Sequence, residues 1–573
     1  MQTVVWMGAS CLALPMLLSP VSAHEPKREY RHWLSRKEQV MYRKSTAGFW
    51  LLITASIALQ GCSRTAPMPA VPAVDRPPAI TASAEEIALA QTSNGDFAVD
   101  LYRQLAAERP GENLFFSPFS ISSALLMATE GASGETAEQM GKALRVPKAL
   151  RSSGSQAASL PWQLAGLHKG QAAIYYRLSP EPISPELRDK IVRLRSDLAA
   201  ANSRTAALDH SGKWQEAQQS HDTAEKLADE LNPLLKEMEP YEWRAANALW
   251  GDKTYGFRSS FLDTIHMYYG SVVFPVDFRS GADAARQEIN AWVARQTSDR
   301  VKDFLGAGAL NSDTRLVITD AVYFRGEWLE PFDASSTRQA DFHLADGKRV
   351  STPMMEKYIY GSAGYGAFKG DGTAFDTPRE IPVDMPDNDP SLYPDARGFT
   401  AIRLPYKVGK LFMVMIVPQS AAGLGELEKL LSTGLKPWLD RIANRTVIVN
   451  VPKFKLEADY GLEKSLQAMG MVRAFHRPGG PDGAQFDRMT ASDDPAQQLF
   501  ISAVRHKTFV EVNEKGTEAA AVTGIRMDAK SAAREPPKTR PFIPTFWADK
   551  PFLFAICDSE THSILFFGRL VSP

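Results

Sequence analysis

Three cysteines in 573 residues, Cys11, Cys62 and Cys557, are too few and too far apart for a disulfide framework. A zinc site, which needs about four ligands at short spacing, is excluded on the same ground. Cys557 ends the apolar run that starts at Phe552 and reads as an inert buried thiol. The ten histidines are scattered, and none stands four residues from another or from a cysteine. There is no Gly-x-Ser-x-Gly elbow, no His-Glu-x-x-His and no Gly-x-x-x-x-Gly-Lys loop, so the common hydrolase and nucleotide signatures are missing. Gly364-Tyr365-Gly366 lacks the six-residue glycine fingerprint and reads as a turn. Charge of one sign is lacking too: 65 basic and 66 acidic side chains leave a net charge of -1, which gives no field to hold nucleic acid. No enzyme activity, metal or cofactor is expected, and no internal repeat is found.

What is present suits a folded protein. Hydrophobic residues make up 44% of the chain and charged residues 23%, enough to bury a large core. The N-terminus is different. Val4 to Leu18 is apolar and leads to Val21-Ser22-Ala23, small residues suited to signal peptidase, but it has no basic start. A second segment begins at Met41, carries Arg43 and Lys44, runs apolar from Ala47 to Leu59 and ends in Leu59-Gln60-Gly61-Cys62. That order resembles a bacterial lipoprotein signal, which implies translation from Met41 and Cys62 as a lipid anchor. The apolar stretch of about 13 residues is short of the roughly 20 needed to span a bilayer. Residues 1–62 are thus expected to be export signal. Residues 63–93, rich in Ala and Pro, are expected to be a tether. The expected location is the cell envelope, periplasmic or at the cell surface, or outside the cell, with membrane contact only through the anchor.

The body is expected over 94–573. Phe97, Leu101 and Leu105 fall at helical spacing, and Ser117-Pro118 can cap and open a second helix with Ile121, Leu125 and Ala128 on one face. Strand-like runs come later: Leu316 to Phe324, Leu411 to Pro418, Thr446 to Val451, Phe500 to Val512, Phe552 to Ile556 and Ser563 to Phe567. Helices early and strands late predict an α+β fold with antiparallel sheets. Two stretches read as insertions. Residues 148–240 hold 12 basic and 12 acidic side chains and two leucine stripes, Leu187, Ile191, Leu194, Leu198 and Leu227, Leu231, Leu234, Leu235, Met238. Residues 367–397 are rich in Asp, Pro and Gly and read as a loop.

One segment is poorly explained as ordinary structure. From Glu511 a β pattern runs into Glu514-Lys515-Gly516 and then into the small residues Thr517-Glu518-Ala519-Ala520-Ala521-Val522-Thr523-Gly524. As a strand, one edge would carry Thr517, Ala519, Ala521, Thr523, Ile525, Met527 and Ala529, with no charge. The other would carry Glu518, Ala520, Val522, Gly524, Arg526 and Asp528. Such a run suits a loop that can become a strand, and it resembles the hinge of the serpins. Other blocks resemble that family in its own order: Asn113-Leu114-Phe115-Phe116-Ser117-Pro118-Phe119-Ser120-Ile121, Ala321-Val322-Tyr323-Phe324-Arg325-Gly326-Glu327-Trp328, Leu404-Pro405-Tyr406, Val451-Pro452-Lys453-Phe454, Ser502 with His506-Lys507, and Phe567-Gly568-Arg569.

The resemblance implies the serpin fold, with about nine helices, three mostly antiparallel sheets and an exposed reactive loop. It implies a suicide inhibitor: a serine protease cuts the loop, stays bound as an acyl complex, and is trapped when the freed loop inserts as a strand. Family spacing puts the cut at Lys530-Ser531, and a lysine there suits a trypsin-like protease. Arg526 and Arg534 remain alternatives, because the loop after Ser531 is long and contains Pro536, Pro537, Pro541 and Pro544. The implied hinge is Glu514, Lys515, Gly516, Thr517, Glu518, Ala519, Ala520 and Ala521. A polar cluster under the opening sheet is implied at Ser117, Ser120, Asp320 and His506, with Asp320 where the family usually has Asn. Trp328 and Lys453 are implied at the mouth of the sheet, Lys453 paired with Glu514. The chain is expected to act as a monomer. A non-inhibitory serpin, or a lipid-anchored binding or scaffolding protein using residues 148–240, are the other readings.

Overall fold

A computed structural model describes residues 79–179, 185–210, 213–237, 241–271, 273–407, 409–490, 492, 498–517 and 538–573. The export segments with Cys62 lie outside the described residues, as do Glu518, Ala519, Ala520, Ala521, Arg526, Lys530, Ser531 and Arg534. Helix α1 spans Ala84–Glu108 and starts with a reciprocal cap: Ser83 Oγ accepts from the Glu86 amide, and the Glu86 carboxylate accepts from the Ser83 amide. The folded body therefore begins ten residues before Asn94, and a tether over 63–93 is corrected at its C-terminal end. The alanine-rich run after Ser83 contains no proline, and alanine without proline favours helix over extended linker.

Strand β1 (Leu114–Phe116) leads to α2 (Pro118–Glu130), where Ser117 Oγ accepts from the Ser120 amide and Pro118 fills the first turn. Then come α3 (Gly134–Ala143), α4 (Ala165–Leu178), α5 (Pro185–His210) and α6 (Trp214–Glu237). The segment 148–240 is thus two things. Leu167, Ile174 and Leu178 of α4 are buried in the main core, whereas α5 and α6 pair with each other through Leu187, Leu194 and Leu198 against Leu227, Leu231 and Leu234. The leucine stripes face one another and form a cluster of their own.

The remaining elements are β2 (Tyr241–Asp252), α7 (Ser259–Tyr269), β3 (Val273–Val276), α8 (Phe278–Gln296), β4 (Leu316–Glu327), β5 (Arg338–His343), β6 (Arg349–Ile359), β7 (Gly364–Phe368) and β8 (Glu380–Pro382). They continue with β9 (Phe399–Pro405), β10 (Leu411–Pro418), α9 (Leu424–Leu430), α10 (Lys436–Leu439), β11 (Ala443–Asn444), β12 (Val447–Pro452), β13 (Phe454–Gly461) and α11 (Glu463–Ala468). The chain ends in β14 (Ile501–Val512), β15 (Gly516–Thr517), β16 (Thr539–Pro541), β17 (Thr545–Trp547), β18 (Phe552–Asp558) and β19 (Ile564–Leu570).

Three large sheets result, as expected, together with a two-stranded ribbon of β16 and β8. The seven-stranded sheet runs β1-β19-β18-β10-β9-β7-β11. Every residue of β10, β18 and β19 is buried, which is why those strands read as unbroken apolar runs. The four-stranded sheet is β17-β12-β6-β5, and the six-stranded one is β13-β14-β4-β2-β3 with β15 beside β4. Helix α8 covers part of the six-stranded sheet, where Trp292 meets Trp250 edge-on with ring centres 5.4 Å apart. Cys557 is buried, and burial pushes its thiol up, helped by Asp558.

Arg569 on β19 ties the end of α1 to this core. Its guanidinium donates to the Arg109 and Glu112 carbonyls at 2.7 and 3.0 Å and to Glu428 on α9 at 2.8 Å. Breaking a buried ion pair from one side costs about 3 kcal/mol. Arg569→Met should lower the unfolding free energy by about that amount in chemical denaturation, while Glu428→Gln, which keeps a carbonyl acceptor, should cost less than half of it.

Candidate functional site

The predicted hinge leaves the top of β14. Asn513 and Gly516 exchange two backbone hydrogen bonds, 2.9 and 3.2 Å, closing a tight turn that reverses the chain into β15. Gly516 has φ +151°, and a Cβ there would stand 2.0 Å from the Gly326 carbonyl oxygen, so only glycine allows this close backbone contact. Beyond it β15 runs antiparallel to β4, with Gly516 opposite Glu327 and Thr517 opposite Gly326.

Charge and hydrogen bonds fix the turn. Both Glu514 carboxylate oxygens lie within 3.0 Å of Lys453 Nζ, and the Thr337 hydroxyl donates to Oε1 at 2.9 Å. Burial alone would raise the Glu514 carboxyl, but Lys453 and Thr337 outweigh it and hold it below the usual carboxylate range. The Trp328 indole N–H donates to the Asn513 carbonyl at 3.1 Å, its amide donates to the Lys515 carbonyl at 2.9 Å, and its ring stacks on Tyr406 with centres 4.7 Å apart. Glu514, Lys453 and Trp328 are thus brought together at this turn.

Lower in the sheet β14 and β4 pair in parallel, from Ile501 opposite Leu316 to Phe509 opposite Tyr323. Their outer neighbours are antiparallel: β13 on β14 and β2 on β4. One register row crosses all four strands at Tyr460, His506, Asp320 and Asn247. The Ser117 amide donates to His506 Nε2 at 3.1 Å, which leaves the ring proton on Nδ1, 3.2 Å from Asp320 Oδ1. His506 and Asp320 are fully buried, yet that contact lacks hydrogen-bond geometry, and neither Asp320 oxygen has a hydrogen-bond partner among the described residues. Ser120 is beside them, but its hydroxyl donates to Asn247 Oδ1 at 2.9 Å instead, and Asn247 Nδ2 donates back to the Ser120 carbonyl at 3.1 Å.

Ser117, Ser120, Asp320 and His506 therefore converge, and Asn247 joins them without having been foreseen. The segment Trp243-Arg244-Ala245-Ala246-Asn247-Ala248-Leu249 is rich in alanine and did not read as a strand, although one polar residue among apolar ones was a usable signal. Thr337 and Tyr460 were missed too. Among the described residues no group of three or more His, Cys, Asp or Glu could hold a metal ion. No described helix is long and apolar enough to cross a membrane.

A hinge poised over a parallel strand pair defines the class of protein. A family model described as Serpin (serine protease inhibitor) matches residues 92–573, and the chain belongs to that family. The family takes its name from protease inhibitors, and some of its members do not inhibit. Serpin B10 of Papio anubis is 31% identical over 84% of this chain and 99% of its own length. A leukocyte elastase inhibitor of Xenopus laevis is 30% identical over 83% of this chain and 97% of its own. The fold matches uncleaved ovalbumin with a TM-score of 0.58 and 22% identity, over 84% of this chain and 99% of that one. It also matches human thyroxine-binding globulin complexed with thyroxine, with a TM-score of 0.58 and 24% identity, over 85% of this chain and 99% of that one.

Two outcomes follow from the hinge. Because the Glu514 carboxyl is held low, the stability it contributes is full above the unfolded carboxylate pKa and is lost as pH falls through the folded one. Lys453→Met should remove about 1 kcal/mol at neutral pH and flatten the acid limb of the stability curve measured by denaturation. Gly516→Val should detach β15 from β4, read as faster amide exchange at Gly326 and Trp328.

Proposed function

We propose that the protein is an inhibitory serpin, a suicide substrate that acts as a single chain against trypsin-like serine proteases. Strand direction carries the reading: β15 already lies antiparallel on β4, at the mouth of the one parallel pair in the middle of the six-stranded sheet. A strand that continues from β15 between β14 and β4 is antiparallel to both. Continuing the β15–β4 register sets Ala519, Ala521, Ile525 and Met527 opposite Phe324, Val322, Ile318 and Leu316, all in the main core. The uncharged edge thus faces the apolar side, and Glu518 falls opposite Arg325 on the other. Thr523 falls opposite Asp320, and the Asn513–Gly516 bridge continued down β14 sets Thr523 opposite His506 as well. The two registers agree, as the β14–β4 pairing requires, and a threonine hydroxyl there can donate to the Asp320 carboxylate and accept from the imidazole.

The inserted strand reaches the end of β4 at Met527, three residues before Lys530. In the proposed reaction the protease serine attacks the Lys530 carbonyl carbon. The bond to Ser531 breaks, and the new amine leaves with a proton from the protease histidine. Insertion then draws the ester-bearing segment down a strand about 36 Å long, eleven steps of about 3.3 Å from Gly516 to Met527. A cut after Arg526 would leave the ester within the length of β4, and one after Arg534 would leave seven residues overhanging, so Lys530 fits best. The carrier alternative has no comparable support, since none of the inserting-edge residues named above is charged. Cys62 is proposed as a diacylated anchor that holds the inhibitor at the cell envelope.

Mixed with trypsin, the protein should give an SDS-resistant complex, with mass spectrometry locating the cut after Lys530, and the nicked chain should resist heat better than the intact one. Clean cleavage with neither complex nor added heat resistance would sink the reading. Thr523→Val should leave the melting temperature of intact protein unchanged and lower that of the nicked form by several degrees, the effect of about 1–2 kcal/mol. Cys62→Ser should abolish incorporation of labelled palmitate and release the protein from membranes.

A further inference from the structure

The expected loop over 367–397 is more than a loop. Phe368 still belongs to β7, and the chain returns at Phe399, so the insertion proper is 369–398. It crosses to the C-terminal flank of the reactive segment and pairs with it: β8 and β16 are antiparallel, with Pro382 opposite Thr539, Ile381 opposite Arg540 and Glu380 opposite Pro541. Ile381, Leu392 and Phe542 are at most 4% exposed and form a small core separate from the main one, with Met385 and Tyr393 at its edge. Arg540 donates to Asp387 at 2.8 Å and to the Met385 carbonyl at 2.7 Å. Arg445, just before β12, spans the join: one guanidinium nitrogen donates to the Pro378 carbonyl of the insertion at 3.0 Å and to the Phe542 carbonyl of the flank at 2.9 Å.

We propose that the 369–398 insertion is a clamp on the C-terminal flank of the reactive segment, locked by Arg445 as a positioning residue, which makes entry into the sheet conditional on cleavage. The inference rests on the inhibitory reading and concerns the uncut chain. A full inserted strand ends at Met527, about 36 Å down the sheet. With the clamp closed, residues 528–537 must return to Lys538, whose ribbon is tied by Arg445 to the same strand that carries the hinge partner Lys453, and eleven steps of at most about 3.6 Å reach about 40 Å only when fully straight. A straight return leaves nothing for passing around the sheet. With the clamp open, residues 528–544 lead to β17, and eighteen steps reach about 65 Å, ample for an uncut segment to insert and waste the inhibitor. Seven residues of slack separate the two cases.

The test uses intact protein held at physiological temperature, with two readouts over time: remaining capacity to trap trypsin, and the fraction of uncut chain that has become heat-resistant. Arg445→Met should lose trapping capacity about five-fold faster than the parent while uncut heat-resistant chain builds up in step. Cysteines at the paired positions, Pro382→Cys with Thr539→Cys, should when oxidised slow the conversion relative to the same protein reduced. The clamp is overturned if Arg445→Met, folded with the parent's melting temperature, converts no faster than the parent. Should Arg445→Met fold poorly, equal conversion of the oxidised and reduced cysteine pair overturns it instead. The heat-resistance readout needs no protease, so a parent that never traps trypsin refutes the inhibitory reading while the clamp is still decided.

Discussion

Strands β14 and β4 run in the same direction, so a strand placed between them is either antiparallel to both or parallel to both, and the reversal at Asn513–Gly516 selects the first. Parallel ladders are slightly weaker per residue than antiparallel ones. Inserting one antiparallel strand replaces a single parallel ladder with two antiparallel ladders, so the sheet holds a more hydrogen-bonded state than the one it occupies. The hinge turn at Asn513–Gly516 has already made the reversal, and two residues of the new strand are in place. What keeps the rest out is the closed seam itself.

That seam carries a buried polar row in its middle. Where Val322 and Ile318 pack into apolar core, the row between them carries Asp320 and His506, buried, close, and without a well-formed side-chain hydrogen bond between them. An apolar pair would pack, and a well-made ion pair would resist opening; this contact does neither. A buried carboxylate with no hydrogen-bond donor is costly. In the proposed insertion the Thr523 hydroxyl comes into register with it and offsets that cost. The mouth of the seam is the reverse case: Glu514, Lys453, Thr337 and Trp328 satisfy one another, and the turn they hold sets the register for all that follows.

Much of this was legible because strands buried on both faces leave continuous apolar runs. Leu411–Pro418 matches its expected bounds at both ends, and the runs at Phe552 and Ser563 fall within a few residues of β18 and β19. The turn at Glu514–Gly516 was marked for a different reason, the Glu-Lys-Gly break followed by a row of small residues, most of which lie outside the described residues. What was hidden depends on contacts distant in sequence. Strand β2, with Ala245, Ala246 and Ala248, has helical propensity and becomes a strand because β4 pairs with it along eleven positions. The partner of Ser120 could not be named, because the segment that carries Asn247 is absent from the strand-like runs. Likewise Asp- and Pro-rich composition marked residues 367–397 as loop, but only the fold shows that Ile381 and Leu392 have Phe542, far along the chain, to pack against.

Both ends of the reactive segment are fastened to the same strand. Arg445 stands just before β12 and holds the C-terminal flank, while Lys453 stands just after it and holds Glu514 at the N-terminal hinge. Strand β12 is six residues long and is flanked by β17 and β6, so the two cations sit on a short, braced rod. The span between the anchors is therefore set by the rigid body of the protein, not by the reactive segment. Any contact that shifts β12 must move both anchors together, which leaves their separation unchanged. Slack can change only by letting go of one end, and the two ends let go differently. Releasing Glu514 frees the hinge to advance down the seam, whereas releasing the flank lengthens the return path. In the proposed reaction a cut between the anchors achieves the second without disturbing either cation, and a shift of the frame does not.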